Sequence, residues 1–160
     1  MKKLLLFSAL TMLTATAAQA ALTDTLVLRG TIAPTCSIAV SALAAATTLD
    51  LTATAAVKVA TVNVTCNNAK GYNVKVSSTT AGNLLETTNG VSAVPYELTI
   101  VGASGGAAVQ PSVAGIQIAS NGSTTTPINR TSDLNFAVRT NTNAMAGTFQ
   151  DTVTFTLATP

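Results

Sequence analysis

The sequence predicts an all-β fold, a sandwich of half-buried antiparallel strands. Apolar residues recur with a period of two along most of the chain. Clusters of Gly, Asn and Ser separate the alternating runs, and no stretch keeps the 3.6-residue apolar stripe of an amphipathic helix. The chain has 160 residues. About 140 remain once a leader is removed, enough for one domain with a modest core and too few for two.

The first element is the leader. Lys2 and Lys3 precede an apolar run from Leu4 to Leu13, and Ala18-Gln19-Ala20 supplies the small residues that a signal peptidase reads. Residues 1–20 are therefore expected to be a signal peptide cut after Ala20. A membrane anchor is the alternative, opposed by Ser8, Thr11, Thr14 and Thr16, which interrupt a stretch already short for spanning a bilayer. Export would place the chain's two cysteines, Cys36 and Cys66, in an oxidising compartment. One disulfide is then the simplest state, and two separate buried thiols the alternative.

Residues 22–33 continue as an alternating strand. Leu26, Leu28, Gly30 and Ile32 form one row, and Thr25, Val27, Arg29 and Thr31 the other. Pro34 breaks the strand before Cys36, so the strand can detach from the body of the domain. It is either the ordinary first strand of a closed sandwich or a strand donated to another subunit's sheet. Asp24 and Asp151 each fall in an otherwise apolar row and are expected to mark a strand end or a bulge.

Ala42 to Ala46 suits a helix on composition alone, but the Thr-rich continuation to Thr52 argues for an irregular or strand-like segment. Strands are then expected around Val57, Val59, Val62, Val64 and Cys66, and around Tyr72, Val74 and Val76. Further rows are Tyr96, Leu98 and Ile100; Ile116 and Ile118; Leu134, Phe136 and Val138; and Val153, Phe155 and Leu157 against Thr152, Thr154 and Thr156. Turns are expected at 67–71, 81–83, 89–90, 102–106 and 121–123.

Composition removes most enzyme classes. There is no His, which excludes a Ser-His-Asp triad, a Cys-His dyad and a His-ligated metal. Charged residues make up 9% of the chain, and from Ala21 onward six basic residues balance six acidic ones. Nucleic acid and anionic lipid are therefore not expected as partners. No two of those acidic residues lie close in sequence, so paired-carboxylate hydrolysis has no support. The Gly-rich stretch at 102–106 lacks the Lys of a phosphate loop. No catalytic residue, cofactor or metal is expected.

The string Leu26-Val27-Leu28-Arg29-Gly30-Thr31-Ile32, followed by Pro34 and Cys36, resembles the N-terminal extension of chaperone–usher pilus subunits. The resemblance continues with Cys66 at the end of a Val-rich strand and with the Gly-initiated last strand from Ala146 to Leu157. That last strand is also similar to those of spore coat U-like secreted pilins, whereas many subunits of type 1 and P pili carry an aromatic residue near the C-terminus. The resemblance implies an immunoglobulin-like sandwich that lacks its final strand. It implies a signal peptide over 1–20, a donor strand over 21–33 and an incomplete domain over 34–160. Leu26, Leu28, Gly30 and Ile32 would be the inserted residues, with Gly30 where the groove is too shallow for a side chain. Val153, Phe155 and Leu157 would line the acceptor groove, and Cys36 and Cys66 would be disulfide partners.

The function implied is a structural subunit of a bacterial surface fimbria, polymerised by donor-strand complementation and supporting adhesion or biofilm formation. The chain would be exported through the periplasm to an extracellular fimbrium. Its partners would be identical or related pilin subunits, a periplasmic chaperone and an outer-membrane usher, with a host or surface receptor left open. The alternative from a different class is a self-contained secreted sandwich that binds a carbohydrate or protein ligand. The state of the first dozen exported residues distinguishes the two.

Overall fold

The structure is a computed structural model and describes residues 24–88, 90–102, 106–139 and 144–160. The expected signal peptide and the first three residues of the expected donor strand lie outside the described residues, as do Asn89 and residues 103–105 of the expected turns. The chain divides into two units, residues 1–32 and residues 33–160.

The second unit is all-β. Its strands are β1 (Cys36–Ala42), β2 (Val57–Cys66), β3 (Tyr72–Ser78), β4 (Asn83–Glu86), β5 (Ala93–Val101), β6 (Ile116–Asn121), β7 (Ile128–Val138), β8 (Phe149–Gln150) and β9 (Val153–Ala158). One sheet has the order β1-β2-β7-β5-β4-β8 and the other β6-β3-β9, with every named pair antiparallel. This is the immunoglobulin-like sandwich arrangement, in which the inward rows of two antiparallel sheets share one core.

That core is built from the alternating rows. Val62 and Val64 on β2, Tyr72, Val74 and Val76 on β3, Tyr96, Leu98 and Ile100 on β5, and Leu134, Phe136 and Val138 on β7 are all buried. Each such side chain stabilises the fold by roughly 1.5–3 kcal/mol relative to exposure. Tyr96 and Phe136 stack with ring centroids 5.3 Å apart. In β2 the valines change parity between Val59 and Val62, which a regular strand cannot accommodate on one face. A register shift between Lys58 and Ala60 resolves this: Val59 and Ala60, adjacent in sequence, are both buried there.

Four elements differ from the sequence expectation. Ile116 is 39% exposed although Ile118 is fully buried, because the β3–β6 register shifts between Val74 and Lys75 and breaks the row. The alanines after β1 form a single 3-10 turn, Ala44–Thr47, in which the Thr47 hydroxyl donates to the Ala44 carbonyl at 2.8 Å. The short strands β4 and β8 have too few residues for alternation to be visible.

Two isolated bridges fix the relative direction of the sheets. Ser77 on β3 pairs in parallel with Ser112, and Leu98 on β5 pairs antiparallel with Val109. Since the short connection from 109 to 112 serves both, β3 and β5 run in opposite directions. Following the ladders outward from each, β1 and β9 also run in opposite directions.

Candidate functional site

β1 ends one sheet and β9 ends the other. They approach within 8 Å between Cα atoms, yet no ladder joins them. The sandwich therefore has an open seam along which β9 keeps an outer edge of unpaired N–H and C=O groups among the described residues, the geometry that accepts an added strand.

The side chains along this seam are incompletely covered. Val153, Phe155 and Leu157 point into the sandwich and pack against the core, but each is only half-buried, while Thr154, Thr156 and Ala158 are exposed. On the opposite lip, Ile38 is half-buried and Val40 is exposed. Beneath the start of β9 lies a cavity of about 190 Å³, walled by Val59, Leu84, Leu98, Leu134 and Phe136 from the large sheet, Val153 and Phe155 from β9, and Ala46 and Leu49 from the segment after β1. Tyr96 and Asp151 complete its lining.

Asp151 is the charged residue of that lining, and four donors hold it. Its Oδ2 accepts from the Tyr96 hydroxyl at 2.5 Å and from the Ser78 hydroxyl at 2.6 Å. Its Oδ1 accepts from the Thr79 hydroxyl at 2.9 Å and the Thr152 backbone N–H at 2.7 Å. Ser78 is itself buried and accepts from the Gly82 N–H at 2.8 Å. Burial pushes the Asp151 carboxyl upward, but hydrogen bonds from Ser78, Tyr96, Thr80 and Thr79 outweigh it and hold the group below the usual Asp value. Burial first, then the hydrogen bond to Asp151 and the charge of that carboxylate, push the Tyr96 phenol above its ordinary value. Tyr96 belongs to the large sheet and Ser78 to the small one, so this carboxylate ties the two sheets together beside the seam. In the sequence Asp151 is a misfit in an apolar row. The partners that explain it, Ser78, Thr79 and Tyr96, lie 55 or more residues away.

At the other end of the seam, Cys36 and Cys66 form a disulfide with an S–S distance of 1.99 Å, joining the first residue of β1 to the last of β2 across a register pair. The Asn67 side chain supports the entry to β1 by accepting from the Thr35 N–H and donating to the Ala33 carbonyl at 3.2 Å.

Residues 24–32, described by themselves, form no strand, and all are exposed. Leu26 and Leu28 are each 83% exposed and Ile32 is 88% exposed. A Cβ at Gly30 would meet nothing within 4 Å. Two consecutive leucines in one row and an isoleucine in the same row are thus left in water.

An immunoglobulin-like sandwich open between its first and last strands, in a chain that also carries an exposed alternating apolar row at 26–32, fits the class of chaperone–usher pilin. Residues 22–156 match the family model of the Spore Coat Protein U domain, and the chain belongs to that family. It is a structural, non-enzymatic family of pilus subunits assembled by the chaperone–usher route and exported to the cell surface. No match is found among curated proteins. No helix among the described residues is long and apolar enough to cross a membrane.

Proposed function

We propose that the chain is a subunit of a surface fimbria that polymerises by donor-strand complementation. In this reading residues 21–33 of one copy enter the seam of the next and add a strand to β9. The observation that carries the proposal is the pairing of two incomplete features: an alternating row with Leu26, Leu28 and Ile32 in water, and a half-buried row of Val153, Phe155 and Leu157 beside an unpaired edge. Each lacks what the other supplies, apolar contact and backbone partners. A self-contained sandwich would have no reason to leave both uncovered.

The donated row would set Leu26, Leu28, Gly30 and Ile32 against Val153, Phe155 and Leu157. With Ile32 opposite Val153 in antiparallel register, Gly30 falls opposite Phe155, the largest side chain of the acceptor row. A missing side chain is what such a position requires. Before the next subunit arrives, a periplasmic chaperone would cover the seam and an outer-membrane usher would order the exchange. The fibre would serve adhesion or biofilm formation, and a host or surface receptor would be met by its outer faces.

The test uses a chain that lacks residues 21–33 and a synthetic peptide of that sequence. The truncated chain should melt at low temperature or aggregate, and the peptide should restore a cooperative transition at higher temperature. A truncated chain that melts cooperatively and ignores the peptide would mean that the sandwich is complete without it.

A further inference from the structure

We propose that Asp24 and Asp151 select the direction in which a strand enters the seam, rejecting the parallel entry available to the chain's own N-terminal segment and permitting antiparallel entry by the segment of a second copy. This rests on the strand-donation reading above and adds to it the residues that keep a subunit from completing itself.

Topology limits the directions each segment can take. Residues 24–32 precede β1 by three residues, Ala33, Pro34 and Thr35. For this segment to reach its own β9, the chain would have to reverse at Pro34 and run antiparallel to β1. Because β1 and β9 run in opposite directions, a folded-back segment would lie parallel to β9. A segment from another copy has no such tether and is free to take either direction.

Charge then separates the two. Asp24 extends the row of Leu26, Leu28, Gly30 and Ile32 by one position at its N-terminal end. Asp151 extends the row of Val153, Phe155 and Leu157 by one position, also at its N-terminal end. In a parallel register that sets Leu26 and Leu28 opposite Val153 and Phe155, Asp24 stands opposite Asp151. Slipping the register by two residues brings Leu26 against the carboxylate instead and leaves the two charges one row apart. In the antiparallel direction, with Ile32 opposite Val153 or Gly30 opposite Val153, Asp24 falls at or beyond Thr159. At least eight residues of strand, roughly 26 Å, then separate the charges, more than two Debye lengths at physiological salt.

Asp151 cannot turn away to avoid the encounter. Tyr96, Ser78, Thr79 and the Thr152 N–H hold its carboxylate in place. Like charges directly opposite across a strand pair are destabilising, and a seam of low polarity strengthens the repulsion.

Refolding of the chain from Ala21 onward, at low concentration and without a chaperone, tests the proposal. The readout is the fraction recovered as a protease-resistant monomer on size-exclusion chromatography. Asp24→Asn should raise that fraction by roughly two- to fivefold, Asp24→Lys should raise it further, and Asp24→Glu should leave it at the wild-type value. Asp24 is exposed and outside the domain, so these changes do not threaten the fold. Asp151→Asn should raise the fraction as well, and adding Asp24→Asn to it should bring no further gain. An unchanged monomer fraction in Asp24→Asn and Asp24→Lys would overturn the proposal. Strand donation would still stand if those variants formed oligomers that disappear on deletion of residues 21–33, and would fall with the proposal if the oligomers survived that deletion.

Discussion

β5 and β9 carry nearly the same pattern and meet different fates. Tyr96, Leu98 and Ile100 on β5 alternate with Glu97 and Thr99, as Val153, Phe155 and Leu157 on β9 alternate with Thr154 and Thr156. Yet the β5 row is at most 4% exposed, while the β9 row is half-buried. The cause is position rather than composition. β5 lies between β7 and β4 in its sheet, whereas β9 ends its sheet beside the open seam. An alternating row states that a face needs cover. It does not state whether the same chain supplies it.

The contrast is sharpest at two phenylalanines. Phe136, 6% exposed on β7 and stacked on Tyr96, should cost about 3–5 kcal/mol when changed to Ala in the unfilled domain. Phe155→Ala should cost clearly less in the unfilled domain and approach the Phe136 value once the seam is occupied. Denaturant unfolding of each variant with and without the peptide of residues 21–33 measures both. Equal costs in the unfilled state would erase the distinction between the two rows.

The disulfide comes next in size. It closes a loop with a sequence separation of 30, and in the chain-entropy model its removal by a paired Cys36→Ala and Cys66→Ala change should cost about 3–4 kcal/mol. A domain with an open seam has little stability to spare, so the paired variant should be recovered in folded form only when a strand or chaperone fills the seam. Folded recovery of the variant alone, with an unchanged melting temperature, would contradict this.

Much of this architecture is legible in the residues themselves. The rows on β2, β3, β5, β7 and β9 follow from alternation of β-branched and aromatic residues, and the turn at 67–71 ends in Gly71, whose φ of 83° suits glycine and whose absent Cβ would meet the Asn121 carbonyl. What alternation misses depends on neighbours distant in sequence. Ile116 is uncovered by a bulge in the β3–β6 ladder, β4 and β8 exist through pairing rather than pattern, and Asp151 acquires its meaning from Ser78, Thr79 and Tyr96. The exposed row at 26–32 is visible in the sequence as a row. Its lack of cover is not.

The Asp151 bridge gives a smaller effect with a defined pH dependence. Asp151→Ala leaves the Tyr96 and Ser78 hydroxyls without their acceptor and should cost about 1–3 kcal/mol. Because the folded state lowers the Asp151 value below 3.8, its contribution is present above that value and is lost as pH falls through the folded value. The folded state raises the Tyr96 value, so its contribution is full below the ordinary 10.0 and is lost as pH rises beyond it. The melting temperature should therefore be nearly flat between about pH 5 and 9 and fall on either side, and Asp151→Asn should flatten the acid fall. A wild-type acid limb unchanged in Asp151→Asn would show that this carboxylate does not govern acid stability.

The most direct measurement concerns Gly30 and its neighbour. Fibre assembly should be followed for chaperone-held subunits carrying either Gly30→Leu, in the row proposed to enter the seam, or Thr31→Leu, on the opposite face. Gly30→Leu is expected to fold and be held by the chaperone but not to assemble, while Thr31→Leu assembles at close to the normal rate. Normal assembly of Gly30→Leu, or its failure to fold even with the chaperone present, would contradict the claim that this strand enters a neighbour's seam.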